Sequence, residues 1–376
     1  MKRDRGKLKL YMGYASGVGK TYRMLEDAQV LKNHGTDVVI GYFEPHGRQA
    51  TIEKTEGLEI VPRARMRYRG SVFEEMDTDA ILVRRPQLCL VDEFAHTNVP
   101  GSSRNKRWED IEILRDAGID ALTTMNIQHL ESLNDQVWQI TGIRVRETIP
   151  DWVVQQADEV VIIDLSPRAL LHRLERGVIY DREKVEQALK NFFRESALAA
   201  LRELALRETA HEIEQHAVQD EAATTSQASD PRRITNDRIL LLVTADPNTA
   251  MLIRRAKRVG DFLGADCFAV AVNTSGDLSR MAYPDREAIE RHLNFARNMR
   301  IETCMLEGNN RAQTLIDFAH EHHITQIFLS RSQRQSHGLW GRKAFLQKIV
   351  RLAGDMQIVI VSERERTRRN MGPAPT

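Results

Sequence analysis

Cysteine is scarce. The three in 376 residues (Cys89, Cys267, Cys304) lie far apart, with no CxxC pair and no metal-ligand spacing, which argues against structural zinc and a disulfide scaffold. A reducing compartment, the cytoplasm, is the expectation. Aromatic residues make up only 6% of the chain, and no apolar run approaches the roughly 18 residues a bilayer crossing needs. The opening MKRDRGKLKL has no apolar core of a signal peptide, so a chain that neither spans a membrane nor is secreted is expected. An excess of one charge is also missing: 54 Lys+Arg against 53 Asp+Glu leave a formal net charge of +1. No global field draws in nucleic acid or an anionic membrane, and any anion has to be bound locally. With 41% hydrophobic residues and room for two or three domains, the chain is neither disordered nor a miniature scaffold.

What is present alternates short β-rich runs with helical patterns, the signature of α/β architecture. The first stretch, residues 1–180, has candidate strands at residues 8–12, 37–42, 88–91, 121–125 and 160–164, each apolar and followed by glycine or polar residues, as buried parallel strands are. Residues 181–218 lack glycine and proline and are rich in Leu, Ala, Glu, Arg and Gln, predicting one long helix or two end to end. Val185, Leu189, Phe192, Leu198, Leu201 and Leu204 form its apolar stripe. Residues 219–235 are polar and small, a flexible linker by composition. A second α/β domain is expected over residues 236–363, with strands at 239–243, 267–272, 326–329 and 357–361 and helices at 248–263, 313–322 and 342–352. An arginine-rich disordered tail over 364–376 follows.

The sharpest chemical signal is Gly13-Tyr14-Ala15-Ser16-Gly17-Val18-Gly19-Lys20-Thr21, between a strand and a helical pattern. That setting is a P-loop's: glycines let backbone N–H groups turn inward around phosphate oxygens, and the helix N-terminus adds its dipole. Gly17, Val18 and Gly19 would form the cradle, Lys20 would reach the β- and γ-phosphates, and Thr21 would offer a hydroxyl to Mg2+. One departure stands out: five residues before Gly19, where small residues are usual, is Tyr14. Leu88-Cys89-Leu90-Val91-Asp92-Glu93 is an apolar strand ending in two acids, as a Walker B segment is. Asp92 would hold Mg2+ through water, and Glu93 would position or deprotonate an attacking water.

Further polar residues gather at strand ends: Glu44, His46 and Arg48, then Thr124, Asn126, Gln128 and His129, with His96 and Asn98 after Asp92. In an open parallel sheet these ends face the ligand crevice, though for each residue singly a solvated loop position is the simpler reading. Arg63, Arg65, Arg67 and Arg69 alternate and would share one face of a strand, most simply a solvated one. His211 and His216 are five apart and lack the HExxH spacing. No NKxD and no LSGGQ element is present, which disfavours a GTPase or transport ATPase.

Six ordered runs, GYASGVGKTYRML, EPHGR, VDEFAHTNVPGS, KRWEDI, NIQHLESLND and TGIRVRETIPD, followed by ALRELALRETA, resemble the cytoplasmic sensor domain of the KdpD family of osmosensitive potassium sensor histidine kinases. The second α/β domain is similar to the universal stress protein domain that follows it in that family. The resemblance implies an ATP-binding P-loop domain that regulates signalling to potassium-uptake genes, with a sensor kinase or response regulator as partner. Homodimerisation is left open. It also places the chain in the cytoplasm, with a partner able to hold it at the inner membrane face. The transmembrane helices, phosphoacceptor box and kinase ATP lid of full-length members do not occur in these 376 residues, so a stand-alone sensor module is expected. In the second domain the nucleotide-binding glycine pattern of universal stress proteins is displaced: Ser330-Arg331-Ser332-Gln333 follows the fourth strand, and Gly338 and Gly341 come eight residues late. ATP is therefore not assigned there. Ser330 and Ser332 match the first part of a cyclic di-AMP-binding element, without its downstream aromatic motif, and Asp246 stands at the first strand end as either a ligand contact or a helix N-terminal acid. Three functions remain open: a nucleotide-dependent regulator, an interaction scaffold with a vestigial P-loop (favoured by Tyr14), and a slow P-loop kinase or ATPase acting on a small substrate.

Overall fold

The computed structural model describes residues 4–177, 179, 192–224, 237–274, 283–330 and 339–361. They divide into two compact units, Met1–Thr224 and Thr225–Thr376.

In the first unit the order is β1 (Leu8–Gly13), α1 (Lys20–Asn33), β2 (Val38–Tyr42), α2 (Gln49–Glu53), β3 (Glu59–Ile60), β4 (Ala64–Tyr68), β5 (Ser71–Glu75), α3 (Thr78–Arg84), β6 (Leu88–Val91), α4 (Arg107–Asp116), β7 (Asp120–Asn126), α5 (Asn134–Thr141), α6 (Asp151–Val154), β8 (Glu159–Ile162), α7 (Pro167–Glu175) and α8 (Glu195–Thr224). Six strands form a parallel sheet in the order β3-β2-β6-β7-β1-β8. Alternation along β1 sends Leu8, Leu10 and Met12 to one face and Tyr11 to the other, so each face carries its own core. Met24, Leu25 and Ala28 of α1 cover the Tyr11 face; Ile111 and Leu114 of α4 and Val137 of α5 join the opposite core. The strands expected from sequence all form, within a residue or two at their ends.

Within the described residues the long helix reaches further than expected at its C-terminal end. It runs Glu195–Thr224, preceded by the non-helical residues 192–194, where Phe193 turns into the core beside Phe192. Residues 181–191 lie outside the described part. Residues 219–224, read as linker, are helical: Asp220, Glu221, Ala222 and Ala223 contain no breaker, so the helix propagates through them. Leu198, Leu201 and Leu204 are buried in the first unit's core, each contributing roughly 2 kcal/mol. The stripe therefore packs the helix into the first unit.

Sequence reasoning also missed the β4–β5 hairpin as a unit. Arg65 and Arg67 are exposed on one of its faces, and Arg69-Gly70 makes its two-residue turn with φ of 48° and 82°, the doubly positive geometry that matches strand twist.

The second unit contains β9 (Arg238–Leu242), α9 (Thr249–Leu263), β10 (Asp266–Asn273), α10 (Tyr283–Asn298), β11 (Glu302–Glu307), α11 (Arg311–Glu321), β12 (Gln326–Ser330), α12 (Leu339–Leu352) and β13 (Gln357–Val361). All five strands are parallel, in the order β11-β10-β9-β12-β13, a doubly wound sheet with its switch point between β9 and β12. α9 and α10 pack on one face, α11 and α12 on the other. This is the doubly wound α/β architecture expected from sequence, with α10 and β11 added. Among the described residues no helix is long and apolar enough to cross a membrane. The expected tail over 364–376 lies outside the described residues.

Candidate functional site: a phosphate cradle at the carbonyl ends of the first sheet

The cradle begins where β1 ends. A Cβ on Gly13 would lie 2.6 Å from Val18 Cγ2 and 3.1 Å from Lys20 Cδ, so only glycine lets the loop fold back over the lysine. Gly17 and Gly19 have φ of +88° and +111°, strained for any residue with a side chain. Gly19 caps α1 without a side-chain hydrogen bond, and no acid occupies the first turn, so the helix's leading N–H groups stay available to an anion. From outside, Arg173 of α7 donates to the carbonyl oxygens of Gly17 (3.1 Å) and Val18 (3.5 Å), and Ile179 packs where a Gly17 Cβ would be.

Tyr14 does not obstruct this loop. Its ring is buried and its hydroxyl donates to the Leu165 carbonyl oxygen at 2.7 Å, beyond the end of β8. The departure from the usual loop pattern places this ring in the core.

Lys20 is buried. Its Nζ donates to the Ala15 carbonyl oxygen (3.1 Å) and to Asn126 Oδ1. Asp92, also buried, accepts from Thr21 Oγ1 (3.2 and 3.3 Å to its two oxygens) and from Thr124 Oγ1. The sheet order explains these contacts: β7 lies between β1 and β6, so its terminal Thr124 and Asn126 stand between the lysine and the aspartate. Desolvation draws Lys20 down to about 8 despite Asp92, and the same burial pushes Asp92 above the ordinary carboxylate range. Each of these groups lacks enough opposite charge around its ionised form. A triphosphate would supply it to the lysine and a divalent cation to the aspartate, so this donor set fits both.

Glu93 follows in the left-handed region at φ 59°, unusual for a glutamate. Its carboxylate faces His46 Nε2 (3.4 Å) and Arg107 Nη1 (3.6 Å). Burial raises its pKa, but His46 and Arg107 outweigh that and leave it below the usual range. His46 is raised in turn, mainly by its hydrogen bond to Glu93.

Arg107, which the sequence reading did not single out, anchors the whole cluster. It is fully buried, with Nη2 3.1 Å from Glu75 Oε2, Nη1 donating to the Asp92 carbonyl oxygen at 3.3 Å, and its guanidinium 3.5 Å from the Tyr42 ring centroid. Its only sequence signal was the KRWEDI run. Around the cradle opens a cleft of about 200 Å³, lined by Ser16, Lys20, Thr21, His46, Arg48, Asp92, Glu93, His96, Asn126, His129 and Glu147 among others. The structure thus brings most of the strand-end residues named from sequence to one place. Asn98 instead binds Asp110 and the Arg104 carbonyl oxygen, while Glu44 pairs with Arg63 and Tyr42.

In the second unit Asp246 lies just beyond β9 and Ser330 ends β12, flanking the switch point. Asp246 Oδ1 accepts from the Asn248 N–H at 2.9 Å, as an acid opening a helix does. Its Oδ2 and the Ser330 Oγ are buried with no hydrogen-bond partner among the described residues. Ser332 lies outside the described residues.

A profile of the family described as "KdpD: Osmosensitive K+ channel His kinase sensor domain" matches residues 4–213. The "Putative sensor protein KdpD" of Synechocystis sp. is 42% identical over 359 residues, 95% of this chain and 94% of the relative. The "Sensor protein KdpD" of Escherichia coli is 42% identical over 371 residues, and that of Clostridium acetobutylicum 41% over 334. These matches take in 99% and 89% of this chain, but only 41% and 36% of those two relatives, so the chain spans well under half their length. A solved universal stress protein from Archaeoglobus fulgidus is 14% identical with a TM-score of 0.26, covering 33% of this chain and 92% of its own. By its profile match and its identity to curated relatives over most of its length, the chain belongs to the KdpD sensor family.

Proposed function

We propose that the chain is the sensory and regulatory part of a KdpD-type two-component system for potassium uptake and osmotic response, and that its P-loop unit binds Mg·ATP. The observation that carries this reading is the buried Lys20 and Asp92, each short of opposite charge, under a glycine cradle at an open helix N-terminus. Gly17, Val18, Gly19 and Lys20 hold the phosphates. Thr21 contacts the Mg2+, and Asp92 supports it. Turnover, where it occurs, is slow and serves regulation; the output goes to a sensor kinase or response regulator, with the chain in the cytoplasm.

Metal removal tests the assignment. ATP affinity measured by calorimetry drops at least tenfold on replacing Mg2+ with EDTA in the wild type, and Asp92→Asn shows most of that loss with Mg2+ present. Equal affinity with and without the metal contradicts it. For the second unit, the unpartnered Asp246 Oδ2 and Ser330 Oγ at the switch point favour a separate polar ligand, with Ser332 as a further contact. Cyclic di-AMP is the probe: binding that Asp246→Ala weakens supports the site, and no binding rejects that ligand.

A further inference from the structure

Glu93 is the residue that a strand ending in two acids offers as base, yet each of its carboxylate oxygens already faces a nitrogen partner: Oε1 lies 3.4 Å from His46 Nε2 and Oε2 3.6 Å from Arg107 Nη1. A base has to present a free lone pair to the proton it removes. Another group in the same cleft presents one with no ion-pair partner holding it. His129 sits in the 3-10 turn Ile127–His129 that continues β7, three residues past the Asn126 that binds Lys20. Its Nδ1 is 2.7 Å from the Glu147 carbonyl oxygen.

A carbonyl oxygen only accepts, so in the neutral ring Nδ1 carries the hydrogen and Nε2 keeps the lone pair. Nε2 has no hydrogen-bond partner among the described residues, and it is not one of the polar atoms sealed from solvent without a partner. His129 is one of the residues that line the cleft with Lys20, Thr21 and Asp92. Burial lowers the ring's affinity for a second proton; the charged groups that face it are Glu147 and Glu93, which oppose this, and Lys20, which adds to it.

We propose that His129 Nε2 is the general base that takes the proton of the water attacking the terminal phosphate, with Glu93 held by His46 and Arg107 as a charged wall of the cleft. The inference rests on the nucleotide-binding reading above. In the step, the water oxygen forms a bond to the γ-phosphorus as the bond to the β–γ bridging oxygen breaks. The electron pair leaves with the diphosphate, and the water proton passes to Nε2. Lys20 meets the developing negative charge, and the Glu147 carbonyl oxygen stabilises the imidazolium through Nδ1–H.

Three readouts on the intact chain test this. In the free protein labelled with 15N-histidine, NMR at neutral pH is expected to show His129 as the neutral Nδ1–H tautomer; the Nε2–H tautomer or a charged ring overturns the proposal. Calorimetry is expected to give His129→Gln and His129→Ala the wild-type affinity for Mg·ATP within about threefold. Single-turnover hydrolysis is expected to fall roughly 100-fold in both variants, with added imidazole restoring part of the rate to His129→Ala. A rate within threefold of wild type, or a loss that imidazole leaves untouched, overturns it. Binding without any hydrolysis in the wild type also overturns it while leaving nucleotide binding intact. Failure of the wild type to bind Mg·ATP at all is a separate result, the failure of the reading beneath it.

Discussion

At the scale of single residues, the site is held by charges that cannot reach water. Arg107 is fully buried and Glu75 nearly so, and neither is tolerable inside the protein without the other. Glu75 also accepts from the Val99 N–H at 2.9 Å and lies 3.1 Å from His96 Nε2. Glu75→Gln leaves the guanidinium short of its countercharge and is expected to cost about 3 kcal/mol, read by denaturant unfolding. Burial pushes the Glu75 carboxyl upward, but His96, the Val99 N–H and Arg107 outweigh it and hold the group below its usual 4.5. A carboxyl lowered in the folded state stabilises fully above that value and loses its contribution as pH falls through the folded one. Wild-type stability is therefore expected to decline below about pH 4.5 through this group, a component that Glu75→Gln lacks. Tyr14 makes a second prediction. Tyr14→Phe removes one buried hydrogen bond and is expected to cost about 1 kcal/mol while leaving Mg·ATP affinity within twofold. A large affinity loss would mean that the ring shapes the cradle after all.

At the scale of elements, what was legible in the sequence followed physical necessity. The turn after β1 could be read because its glycines have no substitute: Gly13 folds under Val18 and Lys20, and Gly17 and Gly19 adopt positive φ. Gly13→Ala is accordingly expected to weaken Mg·ATP binding at least tenfold and to lower the melting temperature, checked by calorimetry and thermal scanning. Buried parallel strands such as Leu88–Val91 announced themselves as apolar runs. β11 did not: at the sheet edge its Glu302–Glu307 run is only half-buried, so it carries no continuous apolar signal. α8 runs past the point where the small polar residues 219–224 suggest a linker, because alanine and glutamate extend a helix readily once it is nucleated.

At the scale of the whole molecule, two sheets with separate cores form two units. Calorimetric unfolding is expected to resolve two transitions, with Mg·ATP raising the one that belongs to the first unit. The partners within the candidate site were the part the sequence hid. Lys20 meets Asn126 across more than a hundred residues only because β7 inserts beside β1, and Arg107 reaches Asp92, Glu93 and Glu75 only because α4 follows the loop after β6. Residue types at strand ends were readable; which of them meet depended on strand order, which no local pattern encodes.

The central claim is that this cradle binds a nucleoside triphosphate through Lys20. The most direct test is calorimetric titration of Mg·ATP into the intact chain and into Lys20→Ala. Saturable one-site binding to the wild type, weakened about 100-fold in the variant, is the predicted result. No binding to the wild type, or equal binding to both proteins, would contradict the account.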